Sequence, residues 1–161
     1  QVLQKMDENG WKVLAVTSPT ADSGKSVVAI NLAISIAQQT QRTALLIDMD
    51  YRRPNVAEIL GLDPTCSLND VMQRGADVAS AMVNPGFERL VVLPTRTPVE
   101  RPAEVLASPK AADLLSDLRS RYEDRVLVID LPPVLAADVV RAVRAQVDCL
   151  LLGVGSGASS V

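Results

Sequence analysis

Short unbroken apolar runs punctuate this chain, and longer stretches with helical spacing separate them. Lys12–Val16, Thr43–Ile47, Leu90–Leu93, Arg125–Ile129 and Cys149–Val154 read as strands. Apolar residues at successive positions imply burial on both faces, as in a parallel sheet covered by helices. Between the strands, Gln1–Gly10 reads as a helix closed by Asn9-Gly10, and Lys25 to about Gln39 as a second helix. Asn55–Leu62 reads as a short helix stopped near Gly61. Ser67 caps a further one running to about Gln73, with Asp70 in its first turn and Gly75 beyond its end. Asp77–Val83 reads as another short helix. Ser108-Pro109 supplies an N-cap and a first helical residue, and Ala111, Leu114, Leu115, Leu118 and Tyr122 follow on one stripe. Asp138–Val147 completes the helices. This alternation predicts an α/β fold with a mainly parallel central sheet, flanking helices and right-handed crossovers. Ligands of such sheets bind at the carboxyl ends of the strands.

At 161 residues the chain is expected to form one domain. It begins at Gln1 rather than Met, and is read as part of a longer chain. A net charge of −3 with no basic cluster speaks against nucleic-acid binding. The absence of histidine excludes a Ser-His-Asp triad and any His-based metal site. Cys66 and Cys149 form no C-x-x-C pair and read as reduced thiols. No apolar run reaches the 18 residues of a membrane span.

The first strand feeds a loop of small residues ending in Gly24-Lys25-Ser26, and a helix follows at once. Strand, loop and helix are the context of a phosphate-binding loop. The helix start aims unpaired N–H groups and a positive dipole end at one spot. The candidate nucleotide-binding residues are Ala21, Asp22, Ser23, Gly24, Lys25, Ser26 and Val27. Pro19 stands where the usual pattern has its first glycine, and Asp22 places an anion beside bound phosphate. Because Lys25 would face ligand rather than core, Lys25→Met is expected to leave the fold intact. Two further strand ends carry three acids: Asp48 and Asp50 after the second strand, and Asp130 after the fourth. They cap the turns that follow, or they share a cation with Ser26 and leave one carboxylate to accept a proton.

The segments SPTADSGKS, ALLIDMDYRRP and VLVIDLPPV resemble the Walker A, A′ and B motifs of bacterial tyrosine kinases of capsule and exopolysaccharide synthesis. That family lies within the P-loop ATPases that include MinD and ParA. The likeness extends over RPAEVLASPKAADLL, SLNDVM and LPPVLAADV, and Asp50-x-Arg52-Arg53-Pro54 is its most specific piece. The resemblance implies a three-layer P-loop fold, ATP and Mg²⁺ as cofactors, and tyrosines of neighbouring copies or another protein as acceptors. It implies that Lys25 holds the β- and γ-phosphates and that Ser26, Asp50 and Asp130 ligate the metal. Asp48 would accept the tyrosine proton, with Lys25 and Asp50 completing the catalytic set. Arg52 would brace the loop or pair with phosphate. A cytoplasmic location at the inner membrane face, a membrane-spanning activator of the polysaccharide co-polymerase type, and homo-oligomers are also implied. Thr20 stands where MinD and ParA proteins carry their signature lysine, Leu131 replaces the usual Thr, and Gly155 stands where an Arg is common. A MinD/ParA-like ATPase without kinase activity and a degenerate nucleotide-binding scaffold are the rival readings.

Overall fold

The computed structural model describes residues 2–19, 24–121, 124–133, 141 and 143–152. Helix α1 (Val2–Asn9) ends at Gly10, which takes the left-handed conformation, and strand β1 (Val13–Thr17) follows. Then come α2 (Lys25–Gln39), β2 (Thr43–Asp48), α3 (Val56–Ile59) and α4 (Leu68–Arg74). Strand β3 (Leu90–Leu93) precedes α5 (Pro102–Leu106), α6 (Pro109–Arg121), β4 (Arg125–Asp130) and β5 (Cys149–Leu152). The strands form one sheet in the order β3-β2-β4-β1-β5, and every pairing between them is parallel.

Alternate residues of β1, β2, β3 and β4 enter opposite cores, whereas Leu150 and Leu152 of the edge strand β5 are exposed. Leu14, Val16, Ala44, Leu46, Val126 and Val128 pack with Met6, Ala29 and Ile36 on the side of α1 and α2. Val13, Ala15, Leu45, Ile47, Leu127 and Ile129 pack with Leu68, Leu106 and Leu115 on the side of α4, α5 and α6. The continuous apolar runs thus mean what their pattern implied, a sheet covered on both faces.

Some elements differ from expectation. Within Asp77–Val83 only Val78–Ala81 is helical, as a 3₁₀ turn, because Val83 instead exchanges backbone hydrogen bonds with Val92. Helix α5 was not foreseen, although Pro102 at its first position and Glu104 in its first turn are ordinary start signals. Of the helix expected over 138–147, residues 138–140 and 142 lie outside the described residues, and 141, 143 and 144 are helical. Tyr122 and residues 153–154, expected on α6 and the last strand, also lie outside them. The Ser108 hydroxyl accepts the Ala111 N–H at 3.2 Å, the expected cap of α6. Among the described residues no helix is long and apolar enough to cross a membrane.

The end of the sheet away from the site is tied by Asp148. Its Oδ2 accepts the backbone N–H groups of Lys12 and Val13 at 2.7 and 2.9 Å. Its Oδ1 accepts a bond from Arg119 Nη2 at 3.0 Å, which joins α6 to the strand starts.

Candidate functional site

Strand register brings the acids together. Asp48 pairs with Asp130 across β2 and β4, and Val16 pairs with Asp130 across β1 and β4. Side chains alternate faces along a strand, so Asp48 and Asp130 share the parity of Leu46 and Val128. Both therefore lie on the α2 side of the sheet, where that helix presents its first residue, Lys25. Gly24 precedes it with φ 74°, a left-handed conformation that glycine adopts without strain.

Lys25 Nζ donates to Asp50 Oδ2 at 2.8 Å and to Asp130 Oδ1 at 2.8 Å. Ser26 Oγ donates to Asp130 Oδ2 at 2.7 Å. Lys25, Asp50 and Asp130 are all nearly inaccessible to solvent. Burial alone would lower the Lys25 ammonium, but the charges and hydrogen bonds of Asp130 and Asp50 outweigh it and hold it above its ordinary value. Burial pushes the Asp130 carboxyl up, against the pull of Lys25 and Ser26. Lys25 lines a cavity beside the first turn of α2 and is also the buried counter-charge of two carboxylates, so the expectation that Lys25→Met leaves the fold intact needs correction.

Asp48 is placed differently. It is wholly buried and accepts backbone N–H groups from Asp50, Asn55 and Val56 at 3.0, 3.1 and 3.2 Å. It caps the turn between β2 and α3. Burial, with the Asp130 charge adding to it, pushes its carboxyl up to about 8, against those three donors. The Thr95 hydroxyl donates to the Asp48 carbonyl at 2.6 Å, so the segment after β3 braces the same turn.

Beside the lysine lies a cavity of about 510 Å³ between the first turn of α2 and the segment from Asp50 to Ile59. Gly24, Lys25, Ser26 and Asp50 form its polar end, and Val27 also lines it. Arg53 lines this cavity, whereas Arg52 is solvent-exposed outside its wall. The Arg53 N–H bonds to Asp50 Oδ1 at 3.2 Å, and this turn sets which of the two arginines meets the cavity. Asn55 and Glu58 were not assigned to the site from sequence, and Arg53 was named only within the Asp50-x-Arg52-Arg53-Pro54 motif, without a role of its own. Ala21, Asp22 and Ser23 lie outside the described residues.

The structure thus joins Lys25, Ser26, Asp50 and Asp130 directly, while Asp48, in register with Asp130, is held by the backbone of the turn after β2. A buried cation, paired acids and a glycine-preceded helix start suit a polyanionic ligand. Ser26, Asp50 and Asp130 offer only hard oxygen donors, the kind that a magnesium ion accepts.

The family model described as the CobQ/CobB/MinD/ParA nucleotide binding domain matches residues 14–148. The chain belongs to this family. This CobQ/CobB/MinD/ParA domain is 31% identical over 146 residues to CapB of Staphylococcus aureus, a putative tyrosine-protein kinase, with 90% of the chain and 63% of CapB covered. The kinase domain of the Escherichia coli tyrosine kinase ETK matches with a TM-score of 0.83 at 25% identity, covering 99% of this chain and 61% of that one. The septum site-determining protein MinD of Pyrococcus horikoshii OT3, solved with Mg-ADP, shares the fold, with a TM-score of 0.70 at 22% identity over 88% of this chain and 57% of its own. The chain spans less than two thirds of the length of each of these proteins.

Proposed function

We propose that this domain is the ATP-binding part of a P-loop protein-tyrosine kinase, with Mg-ATP as phosphoryl donor and a tyrosine of another molecule as acceptor. The observation that carries it is the Lys25–Asp50–Asp130–Ser26 cluster at the start of α2, in a chain similar to named tyrosine kinases. Lys25 exchanges its carboxylate partners for the β- and γ-phosphates. The backbone N–H groups at the start of α2, from Gly24 to Val27, cradle them. Ser26, Asp50 and Asp130 would hold a magnesium ion, directly or through water, which would supply neutralisation of the phosphate charge. Asp48 takes the tyrosine proton as the phenol oxygen bonds to the γ-phosphorus and the bond to the ADP oxygen breaks. A proton affinity near neutral pH suits that role. The acceptor reaches Asp48 only if the Asn55–Val56 turn gives up one of its bonds. Arg53 meets the phosphates from the cavity wall, and Arg52 braces the loop from outside it.

The acceptor comes from outside the described fold. Tyr51 is 1% exposed and its hydroxyl is buried without a hydrogen-bond partner. By the motif resemblance, the acceptors lie on neighbouring copies or another protein, the location is the inner membrane face, and a membrane-spanning activator controls polysaccharide synthesis or export.

The test supplies γ-labelled ATP, magnesium and a tyrosine-bearing peptide. Label on the peptide, lost with Asp48→Asn while nucleotide affinity stays within a few-fold, supports the reading. Label released only as phosphate favours a partition-type ATPase. Absence of nucleotide binding favours a degenerate scaffold, the reading that Pro19 and Asp22 motivate.

A further inference from the structure

The segment SLNDVM contributes nothing to the Lys25 cluster, yet its Asn69 holds the chain that reaches the cluster's acids. The pairing of β2 with β3 ends at Ile47 and Leu93. Beyond it both chains leave the sheet, and residues 94–99 form neither helix nor strand. Two bonds still tie them together. The Thr95 hydroxyl donates to the Asp48 carbonyl at 2.6 Å, and the Val99 N–H donates to the Tyr51 carbonyl at 2.8 Å. These bonds bracket Asp48 and Asp50. A backbone segment without regular structure needs an outside partner for its polar groups, and the start of α4 supplies one. The Pro94 carbonyl accepts the Leu68 N–H at 2.7 Å. Asn69 Oδ1 accepts the N–H groups of Arg96 and Thr97 at 2.8 and 3.3 Å, and its Nδ2 donates to the Thr97 carbonyl at 2.9 Å. The Ser67 hydroxyl donates to the same Oδ1 at 2.9 Å and fixes the orientation of the amide. Both Asn69 and Thr95 are buried.

We infer that Asn69 is a positioning residue for the acids after β2, acting through the 94–99 segment and chiefly through Thr95. Its effect on phosphoryl transfer rests on the kinase reading, whereas the brace itself does not. The turn that carries Asp48 and Asp50 is held from two sides. On the β4 side the Met49 N–H donates to the Asp130 carbonyl at 2.9 Å, a continuation of the sheet. On the β3 side only the irregular 94–99 segment is present, and Asn69 is what makes it firm. The side chain suits the task. A carboxamide offers a donor and an acceptor in one plane, so it engages both polar groups of Thr97 as a neighbouring strand would. Aspartate keeps the acceptor and loses the donor, and leucine of similar size loses both. Asn69 is not needed to seat α4. The Ser67 N–H donates to Asp70 Oδ2 at 2.9 Å at the start of that helix, and Leu68 anchors it in the core. Releasing the β3 side lets Asp48 and Asp50 shift relative to Lys25, and transfer is sensitive to displacements well below the size of an atom.

The experiment measures amide hydrogen exchange in the nucleotide-free protein, and transfer from Mg-ATP to a tyrosine peptide, for wild type, Asn69→Leu, Asn69→Asp, Thr95→Val and the Asn69→Leu, Thr95→Val double variant. Asn69→Leu should speed exchange of the Val99, Asp50, Asn55 and Val56 amides about tenfold, while the Leu127 and Asp148 amides at the far end of the sheet stay within about twofold. It should lower kcat about tenfold with KM for the peptide within about twofold. Asn69→Asp, which keeps the acceptor, should fall between wild type and Asn69→Leu. With Thr95 already replaced by Val, Asn69→Leu should cost less than it does alone, because the path is already cut. Faster exchange confined to Arg96 and Thr97, with kcat unchanged, overturns the inference, since Asn69 would then hold only its own loop. A uniform rise in exchange across the sheet, or full additivity of the two substitutions, overturns it as well. If a thermal melt shows that Asn69→Leu does not fold, Asn69→Asp and Thr95→Val carry the same comparison. Exchange needs no substrate, so it decides the brace even if wild type labels no peptide, a result that counts against the kinase reading alone.

Discussion

Replacing Lys25 by Met probes the one charge that balances the site. In the nucleotide-free protein the change leaves Asp50 and Asp130, both nearly inaccessible, without the ammonium that lies 2.8 Å from each. Breaking a buried ion pair by removing one partner costs about 3–5 kcal/mol, because the remaining charge is left uncompensated. For a chain of 161 residues each kcal/mol is worth about 2–4 °C, so the melting temperature should fall by about 6–20 °C. The loss should depend on pH. Burial already raises Asp130, and deleting Lys25 removes the largest pull in the other direction. A carboxyl raised in the folded state binds a proton that the unfolded chain has released, so its unfavourable effect grows as pH rises and disappears on acidification. The deficit of Lys25→Met should therefore grow toward alkaline pH and shrink on acidification. Adding Asp130→Asn to Lys25→Met should recover part of it. Urea or thermal unfolding followed by circular dichroism reads all of these. A Lys25→Met protein that melts with wild type at neutral pH would refute the reasoning, since the acids would then be solvated without their lysine. Nucleotide-dependent stabilisation, present in wild type and lost in the variant, tests the binding role separately.

Asp48, pushed up to about 8, keeps its proton across a range where the unfolded chain has lost it, so it makes stability fall as pH rises from about 4 to about 8. Asp48→Asn should flatten that slope in urea titrations, and an unchanged slope would show that the three backbone donors keep the carboxylate ionised. Asp148 behaves oppositely. Burial would raise it, but the Lys12 and Val13 N–H groups and Arg119 together hold it low, so its contribution is present above about pH 4 and lost below. Asp148→Ala should destabilise by about 1–3 kcal/mol at neutral pH without changing nucleotide affinity, as measured by urea unfolding and calorimetry. Asp22→Gly should tighten ADP binding through lost repulsion and a freer backbone, and calorimetry with unchanged or weaker affinity would mean that Asp22 points elsewhere.

The fold was legible because its strands are simple. β3 runs over Leu90–Leu93 and α2 over Lys25–Gln39, as the apolar pattern predicts, since parallel strands buried on two faces leave few alternatives. Glycine marked the helix ends at Gly10 and Gly75. The short 3₁₀ turn was not legible, because the partnership of Val83 with Val92 is a tertiary contact without a local signature. That the candidate acids gather at one sheet edge was legible from strand ends, and the geometry of their cluster was not. That Asp50 rather than Asp48 reaches Lys25 depends on the turn closed by the Asn55 and Val56 N–H groups. That Arg53 rather than Arg52 lines the cavity depends on the same turn. The Thr95 brace crosses from another strand end, where no spacing in the sequence could announce it.

The two-sided burial of the sheet constrains how such a domain can change. β2 and β4 serve as a party wall, with Leu46 and Val128 facing one compartment and Leu45 and Leu127 the other. Deleting a single residue from β2 or β4 would move every side chain beyond that point through the wall. Asp48 or Asp130 would then turn toward Leu68 and Leu115, away from Lys25. Insertions and deletions tolerable in β2 or β4 therefore come in pairs of residues or fall in the connecting loops. A change of length in the strands is a change of chemistry, while the loops are where this domain can acquire new partners without losing its site.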